Sequence, residues 1–289
     1  MTIGNNLKSG FYKFALVLLI MLTGYVLFFS IFNWTDSVVI YNAASYGARL
    51  FMLIPAGLSL ILLIYVKKLL GKVPENGLIY IIIGLSVIMV GLQIIMIPAM
   101  EVSFRYDALK VVDEAVSIFM DGGISGDTFD GYFSRYTNNY GITIITFLVL
   151  KVLRVIGLLK ADFSNVFPSL QAANLVMMDL SILFACLFVK ENKGSRAAVL
   201  TLLIAVINPM TYVWALFYYT NTVSMAFMMF VLYAVNHLCM QNGENEKKWK
   251  NYLLCFLIGL FTFIGYQIRA TMIITVAAIL LFLLVHKNK

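Results

Sequence analysis

Charge is what this sequence has least of. Only 12% of its 289 residues are Asp, Glu, Lys or Arg, against about 25% in soluble globular domains. With 62% hydrophobic residues, the chain cannot hide its side chains in one water-facing core, and it needs a second apolar solvent. Cysteine is nearly absent as well. Cys186, Cys239 and Cys255 lie far apart in or beside apolar runs, and no CxxC occurs, so neither a disulfide framework nor a zinc site is supported. The two histidines, His237 and His286, are isolated and read as interfacial residues near cytoplasmic helix ends. No Gly/Ser linker, heptad run, low-complexity tract or fixed-period repeat is present. The net charge of +7 comes from short Lys/Arg clusters between apolar runs. No basic face or stripe forms, so nucleic acid is not an expected partner.

What the sequence does have is length of hydrophobicity. A helix needs about 20 mostly apolar residues to span the hydrocarbon. Nine runs qualify or nearly do: 12–33, 48–66, 77–99, 141–158, 167–189, 197–217, 220–240, 251–268 and 270–286. Open backbone is not tolerated in lipid, so these runs are expected to be helical. The first, roughly Phe14 to Trp34, is long for a signal-peptide core and no small-residue cleavage site clearly follows it. It reads as a retained helix.

Lys and Arg in short loops set the orientation. Lys8 and Lys13, then Lys67, Lys68 and Lys72, then Lys190, Lys193 and Arg196, then Lys247, Lys248 and Lys250, and last Lys287 and Lys289 mark cytoplasmic segments. Both termini are then cytoplasmic. Passing from the outside at residue 100 to the cytoplasm at 190 takes an odd number of crossings, yet two runs lie between. The weaker is 141–158, whose apolar stretch is interrupted by Lys151 and, one turn later, Arg154. It reads as a helix lying in the outer interface or dipping in partway. The expected fold is an all-α polytopic bundle. About eight helices span, and interfacial helices sit in the first long outer loop.

That loop, 100–140, is the one long hydrophilic segment. It holds Glu101, Asp107, Asp113, Glu114, Asp121, Asp127 and Asp130 against Arg105, Lys110 and Arg135. Leu109, Val112, Val116 and Phe119 recur at helical spacing, so 106–120 is expected to be a short amphipathic helix. Asp121-Gly-Gly and Ser125-Gly-Asp end it.

In a membrane protein, function shows where polar groups cost energy. Asp107, flanked by Arg105 and Tyr106, could deprotonate an acceptor hydroxyl at the membrane–water boundary; from spacing alone a solvated loop acid is the plainer reading. Tyr132-Phe-Ser-Arg-Tyr-Thr-Asn-Asn-Tyr140 packs aromatics, two amides and Arg135 before the interfacial helix. With Lys151 and Arg154, Arg135 could pair with an anionic lipid head group, and ordinary interfacial anchoring stands beside that reading. The outer turn Tyr218-Tyr-Thr-Asn-Thr222 is either a polar hairpin or part of a site. Arg269, in Gly265-Tyr-Gln-Ile-Arg269, is a lone cation on the side that positive-inside logic disfavours. A bound lipid phosphate or snorkelling explains it equally. Asp179, with Asn174 a turn and a half earlier, sits at mid-membrane depth as a functional acid or an interhelical hydrogen bond.

Taken together, these stretches resemble the GT-C superfamily of membrane glycosyltransferases, especially bacterial proteins related to glycosyltransferase family 39 and the protein mannosyltransferases. The carrying residues are Asp107 with Ala-Leu-Lys-Val-Val-Asp-Glu-Ala115, then Tyr132-Phe-Ser-Arg-Tyr-Thr-Asn-Asn-Tyr-Gly141, Asn208-Pro209 ahead of Tyr218-Tyr-Thr-Asn221, and Gly265-Tyr-Gln-Ile-Arg-Ala-Thr271. Thr137 stands where Pro is common, Asn221 where Asp is common, and Arg269-Ala where Lys-Pro is common. Relatives usually continue with several more helices, so the chain is expected to be the N-terminal part of a longer protein, a split gene product or a degenerate member.

The resemblance implies a sugar moved, with inversion, from a polyprenyl-phosphate lipid to a glycan or lipid-linked cell-envelope acceptor on the outer face of the bacterial plasma membrane. It makes Asp107 the catalytic acid group and places Arg135, Arg269 and Lys151 on the donor phosphate. Tyr132, Asn138, Asn139 and Asn221 would contact substrate. No metal ligands are expected, no cofactor is certain, and a divalent metal is possible. Membrane lipids are the other expected partners. A hairpin over 1–76 would precede a core over 77–289 whose outer loop covers 100–166. A transporter or lipid flippase, or a non-catalytic subunit of polysaccharide assembly, is the alternative function.

Overall fold

The computed structural model describes residues 53–99, 104–123, 129–240 and 248–286, together with positions 13, 17 and 21. Regular structure among them is helical throughout: α1 (Leu53–Leu70), α2 (Glu75–Ala99), α3 (Tyr106–Asp121), α4 (Tyr140–Val155), α5 (Val166–Lys193), α6 (Ser195–Ile207), α7 (Pro209–Ala215), α8 (Thr220–Met240), α9 (Lys248–Ile268) and α10 (Met272–His286). The chain divides into two compact units. One contains α1 and the residues from Leu281 on, and the other is 73–280. The expected helix over 12–33 and the turn at Ser125-Gly-Asp lie outside the described residues.

Among the described residues, five helical stretches are long and apolar enough to cross a membrane: 75–99, 137–155, 166–193, 220–240 and 248–268. Segment 137–155, read from its charges as interfacial, meets the length and composition of a span. The chain is thus a helical membrane bundle. Its helices satisfy their backbone groups internally, which is the condition hydrocarbon imposes.

The amphipathic helix expected over 106–120 is present as α3. Its apolar face buries Val111, Val112 and Ala115 against Ile142, Leu150 and Leu153 of α4, with Leu170, Val223 and Ile268 completing the core. Phe104 meets Phe167 edge-on, with ring centroids 4.9 Å apart, which anchors the entry to α3 on α5. The helix stops at Gly122, whose φ of 70° is the left-handed cap that glycine adopts without steric cost.

One run behaves differently from its sequence reading. The apolar stretch 197–217 is not a continuous span. It breaks at Asn208, whose backbone is extended (φ −80°, ψ 112°), into α6 and α7. The cause is Pro209. It has no N–H to continue the ladder and it crowds the preceding residue out of the helical region. The carbonyl of Val206, just ahead of the break, is taken by the Tyr212 hydroxyl at 2.5 Å. Beyond α7, the fully buried side-chain amide of Asn174 donates to the carbonyls of Ala215 (2.7 Å) and Phe217 (3.1 Å) and lies 3.3 Å from that of Trp214. A second interhelical bond runs from Gln93 Nε2 on α2 to Asp179 Oδ1 on α5, at 2.7 Å. Both mid-depth polar residues therefore have structural partners.

At the opposite end of α5 from its Val166 start, Glu191 receives Asn236 Nδ2 at 2.8 Å and lies 2.5 Å from His237 Nδ1. His237 is not the isolated interfacial residue expected. Its partner is 46 positions away, on another helix.

The start of α4 lies against the end of α9. A Cβ on Gly141 would overlap the backbone carbonyl of Gln267, so glycine alone permits this approach. Gly141→Ala forces the two backbones apart and is expected to cost about 1–3 kcal/mol of stability. Thermal unfolding in detergent measures it, and an unchanged midpoint would contradict the packing described.

Candidate functional site

Three separate chain segments supply the polar cluster at one end of the 73–280 unit. The first is the start of α3. Tyr106 takes φ 52°, a left-handed value that a bulky residue rarely adopts, and Asp107 follows it half-buried. Strain of this kind collects at functional positions. The second segment is the π-helical turn Phe129–Phe133 and the 3₁₀ turn Thr137–Asn139 that leads into α4. The third is the tight connection from α7 to α8, which carries Tyr218 and Tyr219.

The side chains interlock. Tyr219 donates its hydroxyl to Asp107 Oδ2 at 3.3 Å. Asn139, 2% exposed, donates Nδ2 to the hydroxyl oxygens of Tyr132 (2.6 Å) and Tyr219 (3.3 Å). Asn138 Nδ2 donates to Asn139 Oδ1 at 3.1 Å. Burial pushes the Tyr132 phenol well above its ordinary value, and the nearby Tyr219 and Asp107 push further in the same direction. Tyr219 is raised for the same reasons, burial first and the Asp107 charge second. Both are therefore proton-bearing donors.

Asp107 opens onto a cavity of about 580 Å³ lined by Arg105, Tyr106, Trp214, Phe217, Tyr219 and Asn221 among others. A second cavity, about 390 Å³, contains Arg269, Asn208, Thr211, Ser181 and Met178. Trp214, Asn221 and Thr222 line both. Arg269 stands immediately past the end of α9, with its backbone N–H on the carbonyl of Gly265 at 2.9 Å.

The candidates chosen from sequence thus separate into groups. Asp107, Tyr132, Asn138 and Asn139 form one hydrogen-bonded cluster. Asn221 lines the shared wall, and Arg269 lies in the adjoining cavity. Arg135 is exposed and lines neither cavity. Lys151 is also exposed, with its ammonium 4.4 Å from the centroid of the Phe147 ring. It stands eleven residues into α4, about 16 Å of rise from the cluster end. Arg154 donates to the carbonyl of Leu159 at 3.1 Å and closes the far end of the helix.

The residue that sequence reasoning passed over is Tyr219. Two tyrosines stand side by side in that turn, and nothing in their order says which faces the acid. Tyr218 turns inward, fully buried, and accepts a hydrogen bond from Thr146 Oγ1 at 3.2 Å. Among the described residues, no three Asp, Glu, His or Cys side chains converge as a metal site.

Residues 155–289 match the family model described as dolichyl-phosphate-mannose-protein mannosyltransferase. This match supports a membrane glycosyltransferase of the GT-C type. No curated protein and no solved structure matches the chain. Tyr219, Asn221 and Arg269 fall inside the matched segment, whereas Asp107 and Asn139 lie ahead of it. The hydrogen bond between Tyr219 and Asp107 joins the two parts.

The raised phenols have a pH consequence. A folded-state value above the unfolded one gives stability that is full below the unfolded value and fades as pH rises through the folded one. Stability is therefore expected to fall above about pH 10, where unfolded tyrosine ionises. Replacing both Tyr132 and Tyr219 by Phe should flatten that alkaline loss relative to wild type in unfolding curves taken across pH.

Proposed function

We propose that this chain transfers a sugar, with inversion, from a polyprenyl-phosphate donor to a cell-envelope acceptor at the outer face of a bacterial plasma membrane. The observation that carries the reading is the pair of adjoining cavities. One presents the Asp107 carboxylate, the other the Arg269 guanidinium, and they share the wall formed by Trp214, Asn221 and Thr222.

In this reading the donor's phosphate lies at Arg269. Arg offers planar, bidentate donors to phosphate and never loses its charge. The acceptor hydroxyl lies in the Asp107 cavity. It attacks the anomeric carbon from the side opposite the phosphate, and its proton passes to the Asp107 carboxylate. The bond between the anomeric carbon and the phosphate oxygen breaks with its electron pair. The polyprenyl phosphate leaves with one more negative charge, which a preorganised cation stabilises. The single displacement inverts the centre.

The Lys/Arg clusters support an orientation with the site end outside and the Glu191 end in the cytoplasm. The same reading assigns 77–289 to the catalytic core and 1–76 to a preceding hairpin. Arg135 and Lys151 fit better as contacts to surrounding lipid head groups than as donor-phosphate ligands, because neither lines a cavity. A transporter would use mid-membrane acids as a relay, whereas Asp179 already accepts a hydrogen bond from Gln93.

The test is transfer of radiolabelled sugar from a polyprenyl-phosphate donor by purified protein in lipid. Asp107→Asn is expected to lower kcat by about 10²- to 10⁴-fold. Arg269→Ala is expected to raise the donor KM by about tenfold or more, the scale of a lost charge-assisted hydrogen bond. Undiminished transfer by Asp107→Asn would rule out the base.

A further inference from the structure

We infer that Tyr219 and Asn139 are positioning residues: together they aim the Asp107 carboxylate into its cavity, with Tyr132 as the second phenol that the Asn139 amide holds. The inference rests on the function just proposed and adds to it how the base is held.

The argument is one of counting protons. A phenol carries a single hydroxyl proton, and a carboxylate only accepts. Asn139 decides where those protons point. Asn138 Nδ2 donates to Asn139 Oδ1 at 3.1 Å, which fixes the oxygen end of the Asn139 amide. Its NH₂ end then faces the two phenol oxygens, at 2.6 Å for Tyr132 and 3.3 Å for Tyr219. A phenol oxygen that accepts from an amide keeps its own proton for another partner. For Tyr219 that partner is Asp107, 3.3 Å from its hydroxyl. The competing contact, Tyr219 to Asn139 Oδ1, is longer at 3.5 Å.

The amide itself is held firmly. Asn139 is 2% exposed. Its backbone N–H donates to the carbonyl of Tyr136 at 2.9 Å, and its carbonyl accepts from Thr143 Oγ1 at 2.9 Å. Two residues on, Gly141 seats the helix on Gln267. Asn139 lines neither cavity, so it reaches the acceptor side through the tyrosines and Asp107. A carboxylate otherwise rotates about its last torsion. Held by the Tyr219 phenol, it keeps its remaining lone pairs directed at a bound hydroxyl, and loss of such alignment lowers rate more than affinity.

The experiment is a pair of double-mutant cycles on the full chain in lipid or detergent. In the transfer assay, Tyr219→Phe is expected to lower kcat about tenfold, with donor and acceptor KM within about twofold of wild type. Asn139→Asp keeps the shape but replaces the NH₂ donor with an acceptor that draws the phenol protons away from Asp107. It is expected to lower kcat to a similar extent. Combined with Asp107→Asn, neither change should slow the residual transfer further. A raised KM with kcat intact would make Tyr219 a substrate contact and overturn the inference, as would an undiminished effect in the Asp107→Asn background. The second cycle reads thermal midpoints of Asp107→Asn, Tyr219→Phe and the double variant. Losses that do not add support the clamp, and fully additive losses overturn it. If the wild type transfers no sugar from any polyprenyl-phosphate donor, the proposed function fails, and the thermal cycle still decides whether the clamp exists.

Discussion

The architecture of the site depends on one close approach between backbones. Gly141 sits where any side chain would strike the carbonyl of Gln267. That contact fixes the start of α4 on the end of α9. The turn with Asn138 and Asn139 ends two residues before Gly141, and Arg269 comes two residues after Gln267. A single glycine thus sets the distance between the cluster that holds Asp107 and the cation of the neighbouring cavity. The rest of the core supports this junction. Val111, Val112 and Ala115 seat α3 on α4, so the carboxylate at the start of α3 arrives at the same place.

Helices broken by proline bring a polar cost that this bundle answers internally. Pro209 ends α6 at Asn208, and the Tyr212 hydroxyl takes the carbonyl of Val206 just ahead of the break. In hydrocarbon an unsatisfied carbonyl costs several kcal/mol. Past α7, one buried amide, Asn174, donates to the carbonyls of Ala215 and Phe217. The same break puts Asn208 and Thr211 on the wall of the cavity that contains Arg269, so a structural defect and a polar lining are one feature.

Much of this was legible in the residues. Leu109, Val112, Val116 and Phe119 recur with a period that can only be helical, and Gly122 marks the stop. Asp107, Tyr132, Asn138 and Asn139 were chosen from two motifs, and the fold brings them into one cluster. What stayed hidden depends on which of two neighbours turns inward or on pairing across helices. Tyr218 and Tyr219 are indistinguishable by position, yet one fills the core and the other meets the acid. Asn208-Pro209 was visible, but the apolar length around it outweighed a lone proline. His237 looked solitary because Glu191 is far away in sequence. Arg135 and Lys151 were grouped by charge, and charge alone does not say which way a residue points once its helix is packed.

The wall shared by the two cavities carries a thermodynamic consequence. Trp214, Asn221 and Thr222 touch whatever occupies either side. Whenever a ligand in one cavity changes the free energy of those three side chains, the affinity for a ligand in the other changes by the same factor, and the effect runs equally in reverse. Occupancy of the two spaces is thus linked through a common partition, and a compound that fills one of them has a measurable say in what the other will bind.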